Sequence, residues 1–197
     1  SLIRGDYENL QIKVIENGCS VPWLHWSGRI NNPTNVGVAE GYNIGLGAGS
    51  SPYVLLINND VAVSPEMVSR LVAIGEADST IGIVAPRIYY YGTRKVWSDG
   101  GLFNPWTGVT RHKNILKIGP ADKAPKEVDW ATGCCLLIKR EVIQVVGKFD
   151  PAYSPAYCED VDYCMRTRAA GWKIVVNPRA TMWHKISQSI DILKAKT

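Results

Sequence analysis

The clearest hydrophobic signal is Tyr53-Val54-Leu55-Leu56-Ile57, which is followed at once by Asn58-Asn59-Asp60. An apolar run without alternation is how a strand reads when both its faces are buried. Its abrupt polar end places Asp60 at the carboxyl edge of a sheet, where open α/β folds bind ligands. A divalent cation bridging diphosphate oxygens needs a hard oxygen donor at such an edge. A polar strand end also serves simply to cap the next helix, which the pattern opens near Ser64-Pro65. The spacing alone leaves both readings open.

Upstream, Gln11 to Ile15 alternates and then closes apolar, predicting a strand that ends at Glu16-Asn17-Gly18. A second carboxylate, Glu16, therefore stands at a strand end, where a surface-turn acid is the more ordinary reading. Val36 to Gly49 reads as a helix carrying glycines at 37, 41, 45 and 47. Each interior glycine costs about 1 kcal/mol relative to alanine. A stripe of Gly37, Gly41 and Gly45 implies close approach of another backbone or a ligand, with Asn43 aimed elsewhere on the cylinder, toward the strand ends. Val21 to Ile30, with Trp23, Leu24 and Trp26, predicts a short aromatic strand, and His25 reads as a packing or surface residue. Downstream, a helix over 65–77 and a strand over 81–86 complete a β-α-β-α-β order, which predicts parallel strands joined by right-handed crossovers.

From Arg87 to Lys126 periodicity breaks down in a stretch rich in Gly, Pro, Tyr and Trp, the pattern of a lobe or lid. Its Arg87, Arg94, Lys95, Arg111 and Lys113 give a diffuse attraction for anions. Cys134 to Ile138 is a second apolar run, entered through Thr132-Gly133. A short helix over 140–146 closes at Gly147. Cys158-Glu159-Asp160-Val161-Asp162 opens another helix, with three acids in its first turn that the helix dipole favours. Asp162 and Arg166 stand i,i+4 and can pair. Glu159 shares their face, whereas Asp160 projects about 100° away, free to face a cleft. Strands over 172–176 and 180–183 follow, separated by Pro178 and reaching His184. The tail from Lys185 is polar.

Composition narrows the classes. A chain of 197 residues with 46% hydrophobic and 20% charged residues suits one soluble domain, divided as 1–86, 87–127, 128–185 and a tail 186–197. The net charge of +4 suits an anionic substrate or a peripheral membrane contact and is too small to argue for nucleic acid. No apolar run reaches the roughly 20 residues of a membrane span. The five cysteines lack CxxC spacing, so buried thiols in a reducing cytoplasm are expected rather than disulfides or zinc.

The ordered set of motifs resembles the inverting family-2 glycosyltransferases. Asn35-Val36-Gly37-Val38-Ala39-Glu40-Gly41-Tyr42-Asn43-Ile44-Gly45 is similar to their glycine-bearing helix, and Leu55 to Asp60 to their metal-binding strand end. Thr132 to Arg140, Gly147-Lys148-Phe149-Asp150, Glu159 to Arg166, Ala170-Gly171-Trp172 and His184 then follow in the family's order over roughly residues 11–185. The nearest resemblance is to the rhamnosyltransferase-like branch that builds bacterial surface polysaccharides.

The resemblance implies a GT-A type three-layer α/β/α Rossmann-like sandwich with a mostly parallel central sheet. It implies a donor linked to UDP or dTDP, dTDP-rhamnose among the options, a glycan or lipid-linked acceptor, and work at the inner face of the plasma membrane. Asp60 would hold Mn²⁺ or Mg²⁺ with His184 as a further ligand, since positions 58 and 59 are both Asn. Asp160 would be the general base, with Glu159 as the lesser candidate. Glu16 would contact the base of the nucleotide, Asn43 and Asn58 would line its site, and Thr132 and Gly133 would border the donor sugar. The family's opening strand has no counterpart here, which implies exposed strand edges and a route to homo-oligomers. An alternative is an inactive relative that binds nucleotide or glycan, or serves assembly. A sugar-1-phosphate nucleotidyltransferase would need a glycine-rich basic loop that the sequence lacks.

Overall fold

The computed structural model describes residues 2–18, 27–119 and 124–185. The aromatic segment around Trp23, with His25, Cys19 and the tail after Lys185, lies outside them. Strands β1 (Val14–Asn17) and β2 (Arg29–Asn32) form a separate parallel pair. Helix α1 (Val38–Gly47) leads to β3 (Tyr53–Ile57) and β4 (Val61–Val63), and α2 (Met67–Ala77) leads to β5 (Ile81–Tyr90). Short strands β6 (Val96–Ser98), β7 (Gly101–Phe103), β8 (Thr110–His112) and β9 (Lys126–Val128) follow. The chain then continues through β10 (Cys135–Lys139), α3 (Arg140–Val146), α4 (Glu159–Ala169) and β11 (Lys173–His184).

The main sheet has seven strands in the order β3-β10-β5-β11-β4, with β6 added to β5 and β9 to β11. Its α/β architecture matches expectation, but its strand sense is mixed. Only β5 and β11 are parallel, and β3–β10, β10–β5, β11–β4, β11–β9 and β5–β6 are antiparallel. Parallel neighbours need a long crossover, usually a helix. No helix lies between β5 and β10 among the described residues, and β10 returns antiparallel to both its neighbours.

Period-2 alternation sends side chains to two cores. Leu56, Ile83, Ala85, Leu136, Ile138, Ile174 and Val176 pack with Ala39, Val142, Phe149 and Tyr163 under α1, α3 and α4. Val84, Ile88, Leu137, Val175 and Met182 pack with Met67, Val68 and Leu71 of α2. Such double coverage makes the continuous apolar runs, and each fully buried aliphatic contributes about 1.5–3 kcal/mol. The glycine stripe of α1 faces side chains rather than another backbone at Gly41 and Gly45. A Cβ on Gly45 would stand 3.4 Å from Leu56 and 4.0 Å from Ile15, and one on Gly41 would stand 3.2 Å from Asn17. Gly37 instead precedes the helix at φ 85°, a left-handed conformation that favours glycine.

Three local expectations are corrected. The described part of the stretch 87–127 is more ordered than its composition implies: it carries the end of β5, then β6, the β7–β8 hairpin and β9. Arg87 is no diffuse anion attractor. It is buried, and its Nε and Nη2 each donate to Asp99 at 3.0 Å, a pairing that ties the excursion to the sheet. The two strands foreseen around Pro178 are one, β11, because the proline sits in a bulge between Asn177 and Thr181. Cys134, Cys135 and Cys164 are buried free thiols as expected, burial pushing Cys164 up to about 12, whereas Cys158 is exposed.

Candidate active site

Residues 61–63 of β4 pair with 182–184 of β11, so the turn after β3 and the end of β11 meet at one edge of the sheet. The Lys185 N–H donates to the Asp60 carbonyl at 2.9 Å and locks that meeting. Asp60 Oδ1 consequently stands 3.1 Å from His184 Nε2. The imidazole is held edge-on to Trp97, ring centroids 4.5 Å apart. Asp60 Oδ1 and His184 Nδ1 are both buried and lack a well-aligned hydrogen bond. Buried polar atoms left without partners are exceptions in folded proteins and call for a reason. A carboxylate oxygen beside an imidazole nitrogen is a donor pair that suits Mn²⁺, and Mg²⁺ less well because it favours all-oxygen shells. Among the described residues no cluster of three or more His, Cys, Asp or Glu could hold a metal. Among the described residues, Asp60 and His184 could supply two donors, and substrate oxygens and water would complete the shell.

Across the cavity, Tyr157 and Cys158 adopt φ of 84° and 71° just before α4. Two non-glycine residues in this region are strained, a feature that clusters at functional sites. The turn they make presents Asp160 to the Gly133 loop. Gly133 N–H donates to Asp160 Oδ2 at 2.9 Å, and Val161 N–H donates to Oδ1 at 2.8 Å. The carboxylate is fixed in orientation while each oxygen keeps a free lone pair. Gly133 is held in turn by Tyr42, whose hydroxyl donates to the Gly133 carbonyl at 2.9 Å and lies 3.2 Å from Asn58 Oδ1. A Cβ on Gly133 would meet the Tyr42 ring at 3.0 Å, so this position has no room for a side chain.

Glu159, its neighbour, behaves differently. It is buried and its Oε2 has no hydrogen bond. Desolvation first, and then the Asp160 charge, push its carboxyl above the usual range. A carboxyl raised in the folded state contributes most below the ordinary glutamate pKa, and its contribution fades as pH rises through the folded value. Glu159→Gln is therefore expected to melt at a higher temperature than the parent, by a margin that widens from pH 4 to pH 8. Melting curves across that range check it, and a margin that shrinks with pH would contradict the burial account.

Asp60, His184, Asp160, Glu159, Asn58, Thr132 and Gly133 all line one cavity. Two expected residues are placed elsewhere. Asn43 is buried and clamps the loop before α4: its Oδ1 accepts from Phe149 N–H at 2.8 Å, and its Nδ2 donates to the Phe149 carbonyl at 3.0 Å. Its Nδ2 also donates to Glu40 Oε2 at 2.9 Å, and Asn43 is not among the cavity-lining residues, so it acts as a packing clamp. Glu16 is buried beside Arg29, with Arg29 Nε 2.8 Å from its Oε2, and the cavity is lined at this strand end by Asn17 instead. Tyr42 is a site residue that pattern reasoning missed, whereas Trp97 falls in the Tyr- and Trp-rich stretch already singled out. Tyr42 sits in a glycine-rich helix, where an aromatic reads as packing.

The family model described as "Glycosyltransferase like family 2" matches residues 28–195. A protein of Sinorhizobium fredii, y4gI, is 28% identical over 203 residues, covering 93% of this chain and 22% of its own length. The N-acetylglucosaminyl-diphospho-decaprenol L-rhamnosyltransferase of Mycobacterium tuberculosis is 29% identical over 154 residues, covering 70% of this chain and 48% of the relative. This chain thus spans less than half the length of either relative. The crystal structure of GalNAc-T7 with UDP, GalNAc and Mn²⁺ superposes with a TM-score of 0.65 at 18% identity. It covers 81% of this chain and 32% of that one, and shows a shared GT-A fold. The matched motifs, the mixed sheet and the acidic edge have one common account: the chain belongs to glycosyltransferase family 2.

Proposed function

We propose that this domain transfers a sugar from a UDP- or dTDP-linked donor to a glycan or lipid-linked acceptor, with inversion, in the synthesis of bacterial surface polysaccharide. The observation that carries the proposal is the opening of the Asp60–His184 pair and of Asp160 onto one cavity. Support for a rhamnosyl donor comes from the mycobacterial relative, and support for a metal from the Mn²⁺ that accompanies UDP in the GalNAc-T7 structure.

In this reading Asp60 and His184 hold the cation, which when bound stabilises charge on the departing diphosphate. Asp160 takes the acceptor hydroxyl proton as that oxygen attacks the anomeric carbon. The carbon–oxygen bond to the diphosphate breaks, and its electron pair leaves with the nucleotide. Tyr42 and Asn58 position the Gly133 loop, and Thr132 and Gly133 border the donor sugar.

Calorimetry of UDP and dTDP with and without Mn²⁺ tests the reading. Binding that requires the metal is expected, with slow donor hydrolysis. No binding of either nucleotide would favour the second reading, an inactive relative, which is motivated by the separation of β1 from the main sheet.

The β7–β8 hairpin supports a membrane-surface contact. Trp106 at its tip is 94% exposed, Leu102 and Val109 are exposed beside it, and Arg111 stands on β8. No helix among the described residues is long and apolar enough to cross a bilayer. An exposed tryptophan at a hairpin tip with Arg111 on the adjoining strand suits an anionic lipid surface, at about 1 kcal/mol per basic residue. Trp106→Ser is expected to weaken binding to phosphatidylglycerol vesicles about tenfold, in line with about 1.5 kcal/mol for one lost apolar anchor. Vesicle co-sedimentation reads this out, and unchanged binding would remove the hairpin from the interface.

A further inference from the structure

We infer that a rigid loop, residues 113–119, is a second docking element for an anionic bilayer, beside the β7–β8 hairpin. This deepens the membrane contact proposed above and rests on it.

Of the 22 Lys and Arg and 18 Asp and Glu residues, the stretch 87–119 holds six bases and one acid, which leaves sixteen bases and seventeen acids elsewhere. The positive excess of the chain therefore sits in this stretch. Its one acid, Asp99, is buried and bonded to Arg87, so neither reaches the surface. Arg94, Lys95, Arg111, Lys113 and Lys117 remain, with no acid among them. The exposed apolar side chains gather in the same place. Of eleven large hydrophobic residues exposed among the described residues, six lie between 102 and 118. Three belong to the hairpin, and Ile115, Leu116 and Ile118 belong to the loop that follows it, Leu116 being 60% exposed and Ile118 71%. Exposed apolar surface rimmed by polar groups marks an interaction site.

The loop is held in place by main-chain bonds. Leu116 N–H donates to the Val96 carbonyl at 2.8 Å, and Val96 N–H donates to the Lys117 carbonyl at 2.9 Å. Gly119 N–H donates to the Arg94 carbonyl at 3.1 Å, and Lys95 is bridged to Ile118. Arg94 and Lys95 thus lie beside Ile118, while Lys113 and Lys117 flank Leu116 along the chain. Asn114 Nδ2 donates to Asp99 Oδ2 at 2.6 Å, the same carboxylate that grips Arg87. Asn114 and Leu116 adopt φ of 56° and 64°. A leucine in that conformation is strained, and the surrounding bonds over-determine it. The result is a preset apolar turn among bases, which has little freedom left to lose on docking.

This face is separate from the donor cavity. On β8, Thr110 and His112 line the cavity, and Arg111 between them points the other way, opposite Leu102 of β7. None of residues 113–119 lines it. An anionic bilayer suits both halves of the pattern, with apolar tips entering the acyl boundary and the bases meeting phosphate headgroups. A second copy would set five bases against five more. A nucleic acid would use the bases and leave Leu116 and Ile118 idle.

The test is co-sedimentation of the full chain with vesicles of phosphatidylcholine alone, and of phosphatidylcholine mixed equally with phosphatidylglycerol. The parent is expected to bind the mixed vesicles, less so at high salt, and to bind phosphatidylcholine alone about tenfold more weakly. Leu116→Ser with Ile118→Ser is expected to weaken binding to the mixed vesicles about tenfold, and Lys113→Gln with Lys117→Gln about thirtyfold with a shallower salt dependence. Melting curves check that the variants fold, and Ile118→Ser alone repeats the test outside the strained turn. Loss of binding with Trp106→Ser but not with the Leu116/Ile118 pair would overturn the loop and keep the hairpin. Loss with neither, or no binding by the parent, would remove both. A dimer in light scattering that the Leu116/Ile118 pair makes monomeric would overturn the inference in favour of self-association. Binding to polyglutamate as tight as to the mixed vesicles, and equally lost in that pair, would assign the face to an acidic protein instead. Donor calorimetry is run without vesicles, so the transferase reading stands or falls separately.

Discussion

Asp60→Ala is expected to abolish metal-dependent nucleotide binding and to lower sugar transfer by about 10³-fold or more. The size follows from the chemistry: a bound cation supplies several kcal/mol of charge stabilisation to a leaving diphosphate, and each 1.36 kcal/mol is tenfold in rate. Asp60 is the only one of residues 58–60 with a charge, so neither Asn58 nor Asn59 can replace it as an anionic ligand. His184 alone would remain, and a single neutral imidazole does not hold a divalent ion at micromolar concentrations. Asp60→Asn separates charge from shape. It preserves the contact to His184 and the Lys185–Asp60 main-chain bond, so its melting temperature should stay near that of the parent while Mn²⁺-dependent calorimetric heat disappears. Nucleotide binding that keeps its metal dependence in both variants would remove Asp60 from the metal site.

The legibility of this site in the sequence varied with the kind of signal. Asp60 was visible because a buried strand ending in a carboxylate is a one-dimensional pattern. Asp160 could be separated from Glu159 because helical geometry places neighbours about 100° apart. The structure buries Glu159 more deeply, while both carboxyls line the cavity. Strand sense was not visible. Local order up to β5 implied parallel pairing, but the direction of β10 depends on the excursion through 87–127, whose short strands carry no periodicity. The placement of Asn43 is hidden from the sequence for a related reason. Its helix position is legible, whereas the Phe149 main chain that consumes its amide is 106 residues away in sequence. Tyr42 went unnoticed because an aromatic in a glycine-rich helix reads as packing, and it does pack on Phe149 as well as bond Gly133.

Asp160→Asn is expected to lower kcat for transfer by about 10²–10⁴-fold while leaving the donor KM within about twofold, the range for loss of a general base. The carboxylate accepts from Gly133 N–H and Val161 N–H through different oxygens. An asparagine can satisfy one of those donors and must turn its own N–H₂ toward the other, at a cost to stability of about 1–3 kcal/mol. Melting curves therefore accompany the kinetics, and Asp160→Ser supplies a variant without a forced donor–donor contact. If lost positioning of the Gly133 loop were the whole effect, both variants would raise the donor KM along with the fall in kcat, because Gly133 carries the Tyr42 link to Asn58. If Asp160 takes the acceptor proton, kcat falls in both variants at unchanged donor KM. Glu159→Gln should then retain most of the activity, since that carboxyl is buried and pushed toward its neutral form. The reverse ranking, with Glu159→Gln the more damaging, would move the base to Glu159 and leave Asp160 to hold the Gly133 loop.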